Sequence, residues 1–239
     1  MIHDAGGDGR PRAVVFWSTG KDAAFALHEV QQAGVLEVVG LVTTISRPDN
    51  RVAMHGIAEG LLDRQVAATG LPVHKIVLPW PCPNAIYERE VKAALGLARR
   101  AGVTHAIFGD LFLADIRAYR EALIGQTGVS PVFPLWGRDT AALAHDMLAA
   151  GVEAILACVD PTRVATALAG RRYDEAVLAE LGPEVDPCGE NGEFHTFVTA
   201  GPMLRERMDV TAAGTFERDG LVYAELVLAA DASTLDVPG

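Results

Sequence analysis

The sequence predicts an α/β fold: a parallel sheet with helices on both faces, followed by a smaller mixed α/β region. Three observations predict it. Through the first half of the 239 residues, apolar runs of strand length alternate with segments whose apolar residues recur at helical spacing. Those runs are nearly continuous, as in strands covered on both sides. After Gly128 the alternation weakens and turn-rich stretches appear.

Each element has its own justification. Residues 13–17 (AVVFW) form a first strand. Residues 20–33 carry apolar side chains at 23, 24, 27 and 30, one helical stripe, and Gly34 stands where a helix would stop. Residues 36–44 (LEVVGLVTT) form a second, buried strand. A helix is expected over 55–68, with Ile57, Leu61, Leu62 and Val66 on one face and Gly70 ending it. Residues 72–78 (PVHKIVL) form a third strand. Asn84 is placed to cap a helix over 85–101, with Arg99 and Arg100 in its last turn and Gly102 after it. Residues 104–108 (THAIF) form a fourth strand, and LFLADIRAYRE reads as a helix. Four strands separated by helices imply the parallel sheet. Further on, SPVFPLW is interrupted by Pro, 139–150 is helical, 153–159 (EAILACV) is a strand, 181–192 is turn-rich, and 194–199 and 221–228 are strand-like. The expected division is one domain over 10–130 and a second over 131–232. The first twelve residues read as a disordered lead-in and the final DASTLDVPG as a loose tail.

Composition narrows the function. Half the residues are hydrophobic and 21% are charged, which is ordinary for a globular protein. No apolar run approaches the ~18–20 residues that span a bilayer, and no signal-peptide core is visible, so a cytoplasmic protein is expected. The net charge of −11 argues against a broad electrostatic grip on DNA or other nucleic acid. Only Lys21, Lys75 and Lys92 are lysines, and the Arg- and Ala-rich composition is typical of a GC-rich, bacterial genome. Cys82, Cys158 and Cys188 form no C-x-x-C, so neither structural zinc nor a disulfide is expected.

The most informative segment is AVVFW-STGKDA-AFAL. A strand ends at Trp17, a small polar loop follows (Ser18, Thr19, Gly20), then Lys21, Asp22 and a helix. A helix N-terminus presents unpaired N–H groups and the positive end of its dipole, and so attracts phosphate. Gly20 lets the backbone approach, Lys21 supplies charge, and Asp22 can hold Mg²⁺ or its waters. The same pattern also suits a plain strand–helix turn capped by serine. Neither G-x-x-x-x-G-K-[ST] nor G-x-G-x-x-G occurs.

Two further constellations follow. Gly109-Asp110 closes the fourth strand on the same sheet edge, and Arg117 and Arg120, three apart on a helix, suit phosphate or carboxylate, although from the residues alone 115–121 reads first as a solvated face with local Asp–Arg pairs. Asp186-Pro187-Cys188-Gly189-Glu190-Asn191-Gly192-Glu193-Phe194-His195-Thr196 gathers two carboxylates and an imidazole, with Glu193 and His195 expected on one strand face. Such a group can hold an ammonium ion, coordinate Mg²⁺ or take a proton from an amine. A solvated acidic turn has the same composition.

S-T-G-K-D-A resembles the S-G-G-K-D-S loop of the N-type ATP pyrophosphatases, of HUP/Rossmann-like fold. Thr19 replaces a Gly, so positive φ is not expected there, and Ala23 replaces a Ser. Together with G-D-x₄-D-x-R and G-E-x-G-E-x-H-T, the sequence is similar to the diphthine–ammonia ligase family. Its eukaryotic members carry E-G-G-E-F-E-T, from which Asn191 and His195 depart. The resemblance implies an ATP- and Mg²⁺-dependent ligase. It would adenylate a carboxylate, release AMP and pyrophosphate, and join the carboxylate to ammonia or an amine. The implied nucleotide-binding residues are Ser18, Thr19, Gly20, Lys21, Asp110 and Arg117, with Asp22 as metal ligand. The implied catalytic residues are Lys21, Asp22, Glu190, Glu193 and His195. The implied partner is elongation factor 2 in an archaeon or eukaryote, whereas a bacterial acceptor would be another carboxylate. A tRNA-modifying enzyme with the same loop and a non-catalytic ATP- or AMP-binding protein are the alternatives, and homodimer assembly is left open.

Overall fold

A computed structural model describes residues 9–47 and 49–232. The elements in chain order are β1 (Arg12–Phe16), α1 (Lys21–Ala33), β2 (Glu37–Ser46), β3 (Arg51–Val52), α2 (Glu59–Thr69), β4 (Val73–Leu78), α3 (Asn84–Arg100), β5 (Val103–Ile107), α4 (Ala114–Gly125) and β6 (Ser130–Val132). The second half contains α5 (Thr140–Ala149), β7 (Glu153–Val159), α6 (Glu175–Glu180), β8 (Phe194–Ala200), β9 (Val210–Arg218), β10 (Leu221–Leu228) and α7 (Ala229–Ala232).

Strands β4, β2, β1, β5 and β6 are parallel neighbours in that order, and β3 pairs antiparallel with the end of β2. The chain therefore adds β2 and β4 on one side of β1, then β5 and β6 on the other. Their carboxyl ends leave a crevice between β1 and β5, where open α/β sheets bind ligands. β6 carries Pro131 without harm because it is an edge strand. The second sheet is wholly antiparallel, in the order β8-β7-β10-β9.

Side-chain alternation along β1 sorts two cores. Val14 faces Val91, Leu95 and Ala98 of α3 and Leu123 and Ile124 of α4. Ala13 and Val15 face the other way, into a core that also takes in Ala24 and Leu27 of α1, Leu61 and Leu62 of α2, Leu156 of β7 and Phe197 of β8. α1 thus lies between the two sheets, which is why Phe25 and Ala26 are buried as well as the expected stripe.

Several expectations shift. The helix expected from residue 55 starts at Glu59, because β3 and a turn with positive φ at Met54 (67°) and Gly56 (69°) occupy the preceding residues. Pro83 is the cap position of α3, and Asn84 lies inside the first turn, donating to Glu88 at 2.8 Å. β9 and α6 were not expected, since β9 (VTAAGTFER) is largely exposed and lacks an apolar alternation. Residues 1–8 and 233–239, most of the lead-in and tail, lie outside the described residues. Among the described residues no helix is long and apolar enough to cross a membrane, and the three cysteines are free thiols.

Candidate active site

A cavity of about 510 Å³ opens at the carboxyl ends of β1, β2, β4 and β5, the place the topology selects. β1 delivers Trp17 and Ser18, and α1 begins immediately afterwards at Lys21. β5 delivers Gly109 and Asp110. A Cβ on Gly109 would lie 2.7 Å from the backbone nitrogen of Ala23, so glycine is what lets this loop close onto the first turn of α1. The far wall comes from Gly189 and Glu190 in the turn before β8 and from Phe194, His195 and Thr196 at the start of β8.

Thr19 corrects the expectation for the loop. Its φ is 75°, in the left-handed region that was not expected of a β-branched residue. That conformation costs about 1–2 kcal/mol. It is held because the Thr19 carbonyl accepts from Val198 N and from Gln65 Nε2, both at 3.0 Å. Gln65 is fully buried and spends the rest of its amide on Val198 O (2.7 Å) and Trp17 Nε1 (2.8 Å). One satisfied side chain therefore ties β1, the loop and β8 together.

Lys21 is buried. Its Nζ donates to both Asp22 oxygens at 3.0 Å and to the Cys188 carbonyl, and lies 5.4 Å from the ring centroids of Tyr173 and Phe194. Burial opposes its charge, but Asp22 prevails and holds the ammonium above its ordinary pKa. Its backbone N–H donates to Thr196 Oγ1 at 3.0 Å, so β8 caps the first turn of α1.

Glu190 projects into the cavity. Its Oε1 accepts from Leu111 N at 2.7 Å, and burial, reinforced by Asp22 and Asp110, pushes its pKa up to about 7. Asp110 is paired with Arg120 at 2.9 Å. His195 lines the cavity, stacked on His55 with centroids 4.6 Å apart. Burial, then the Lys21 charge, lowers the His195 pKa to about 4.

The cavity thus brings together Ser18, Lys21, Asp22, Asp110, Glu190 and His195. Thr19 and Gly20 support it from behind. Arg117 and Glu193 are outside it. Arg117 pairs with Glu121 at 2.7 Å and stacks on Trp136, while Arg120 lines the cavity instead. Glu193 does not join His195 in lining the cavity. Its carboxylate is fully buried and accepts from Arg163, Asn191 and Asp186 N, because it precedes β8 and turns into the fold. These donors outweigh burial and lower its pKa.

Sequence reasoning missed His55 and Gln65. Gln65 shares a helix face with Leu61, Leu62 and Val66, and a lone amide on an apolar face was its signal. His55 follows the second strand on the ligand-binding edge, but it was read as part of a helix.

The profile of the diphthamide synthase N-terminal domain matches residues 11–131, and that of the diphthamide synthase C-terminal domain matches residues 139–224. A protein of Danio rerio named diphthine–ammonia ligase is 31% identical over 116 residues, 43% of this chain and 43% of that protein. One of Schizosaccharomyces pombe with the same name is 31% identical over 96 residues, 38% of this chain and 16% of that protein. The matched regions span less than half the length of either relative.

Proposed function

We infer the function from one premise: the chain belongs to the diphthamide synthase family. We read it as an ATP-dependent ligase that adenylates a carboxylate, releases pyrophosphate, and joins the acyl group to ammonia or an amine. The observation that carries this reading is the cavity itself, where the start of α1 and the Glu190–His195 wall face each other. The relatives' name supplies the nearest acceptor and nucleophile, diphthine and ammonia. The substrate class carried over is a carboxylate and a small amine.

The chemistry suits the residues. A carboxylate resists attack because its leaving group would be oxide. Attack of its oxygen on the α-phosphorus of ATP breaks the α–β bridge and releases pyrophosphate. The amine then attacks the acyl carbon, and AMP departs with the electron pair of the broken C–O bond. The N-terminus of α1 and the buried Lys21 charge stabilise the departing pyrophosphate. Asp22 lines the phosphate end and offers the hard oxygen ligand that Mg²⁺ takes alongside phosphate oxygens. Bound Mg²⁺ would neutralise phosphate charge. Glu190, poised near neutrality, takes the proton from the attacking amine.

The test is product analysis with purified protein, ATP, Mg²⁺, ammonia and a panel of carboxylates including diphthine-bearing elongation factor 2. Equimolar AMP and pyrophosphate, dependent on the acceptor, are expected. ADP and phosphate would contradict the reading. Nucleotide binding without turnover on any acceptor would leave a nucleotide-binding protein.

A further inference from the structure

His55 sits directly over the start of α1. A Cβ on Gly20 would lie 2.7 Å from its Cε1, so the absent side chain at 20 is what admits the ring. His55 Nδ1 is 3.1 Å from the Thr196 carbonyl. A carbonyl only accepts, so Nδ1 carries the hydrogen and Nε2 is left with a lone pair. His195 stacks against the same ring, and both line the cavity.

Charge makes this arrangement unusual for a nucleotide site. The cavity wall carries two cations, Lys21 and Arg120, against three carboxylates, Asp22, Asp110 and Glu190. Both cations are already paired, Lys21 with Asp22 and Arg120 with Asp110. A polyphosphate arriving here meets no net positive charge from the side chains. Beside any bound Mg²⁺, the neutral imidazoles are the lining side chains that can gain a positive charge. Burial, then His195 and Lys21, keeps His55 well below its ordinary pKa, and burial and Lys21 do the same for His195. Glu193, behind the wall, opposes this only weakly because Arg163 neutralises it. A phosphate group beside the rings reverses the local field and favours the imidazolium.

We propose that the stacked imidazoles of His55 and His195 contact the nucleotide's polyphosphate, and that binding it draws a proton onto the pair. The proton comes from solvent and rests on a ring nitrogen, which becomes a donor to phosphate oxygen. This rests on reading the cavity as the ATP site.

Titration calorimetry with ATP and with inorganic pyrophosphate, in two buffers of different ionisation enthalpy at pH 8, measures the uptake. Wild type is expected to take up protons, with Kd rising up to about tenfold per pH unit over the range in which the free pair is neutral and the bound pair protonated. His55→Asn keeps a donor for Thr196 O and should lose most of the uptake. Its affinity for pyrophosphate should fall about tenfold. His195→Asn should reduce both to a lesser extent. Comparison with wild type removes protons exchanged by the phosphates themselves. Should a variant fail to fold, the ring Cε1–H resonances of wild-type histidines give the same answer. The His55 and His195 resonances are expected to move towards imidazolium positions on adding pyrophosphate, by shifts that together account for one proton. Tight binding without proton uptake, or with uptake unchanged in His55→Asn, overturns this proposal and leaves the ligase reading standing. No binding of either ligand overturns both.

Discussion

The loop over Ser18–Asp22 and the turn over residues 186–196 face each other across one cavity, yet different forces hold them. The loop is placed by chain continuity, with a buried strand feeding it and a helix leaving it, while Gln65 and Val198 fix its backbone at Thr19. The turn has little regular structure before β8. It is held from outside, through Lys21 to the Cys188 carbonyl, Leu111 N to Glu190, and Lys21 N to Thr196. The difference teaches that the loop's place follows from the elements adjoining it in sequence, whereas the turn's place follows from contacts with distant segments. Lys21 belongs to both.

Lys21→Ala should break the comparison at that shared residue. AMP release should be abolished, and the urea midpoint should report a loss of about 3 kcal/mol, the lower end for breaking a buried ion pair. An unchanged midpoint would show that the turn does not depend on this clasp. Glu190→Gln and Glu193→Gln sharpen the contrast within the turn. The first should lower ligation about 10²–10⁴-fold while ATP affinity, measured by calorimetry, stays nearly constant. The second should act on stability, by about 1–3 kcal/mol, because it leaves buried donors poorly matched. If Glu193→Gln instead lowered ligation at full stability, the placement of Glu193 outside the chemistry would be wrong.

Acid should destabilise the fold through the buried imidazoles at this cavity. His195 has a folded pKa of about 4, below its unfolded value of about 6.5. Between those values the unfolded chain binds more protons, so stability is fully present above about pH 6.5 and falls as pH drops towards 4. Urea midpoints at successive pH values should show this slope in the absence of ligand, and His195→Gln should lessen it, leaving the part that His55 contributes. The smallest effect concerns the loop. Thr19→Gly should relieve the left-handed backbone and a buried hydroxyl without a hydrogen-bond partner, raising stability by about 1 kcal/mol, or about 2–4 °C in Tm. A lower Tm would mean that the threonine methyl packs better than its backbone is strained.

The parallel sheet and the strand–loop–helix course of Ser18–Asp22 were legible because they depend on neighbours in sequence. Strand-length apolar runs, the helical stripe after Gly20 and the stop at Gly34 all express periodicity and backbone preference. Glu190 and His195 were legible as residue types gathered in one turn. Which of Glu190 and Glu193 faces the cavity was not, because a turn has no fixed period to assign faces. The choice of Arg120 over Arg117 was hidden for a similar reason. Both share a helix, and only Asp110 and Trp136, brought in by other segments, separate their directions. The left-handed Thr19, the bridging Gln65 and the stacked His55 belong to the same class. Each depends on contacts across long stretches of chain, such as Val198 to Thr19 or Thr196 to His55. The sequence by itself determined the local elements and the chemical groups on offer. The tertiary structure decided which of them meet, because burial and hydrogen bonding between distant segments outweigh the small local preferences of individual residues.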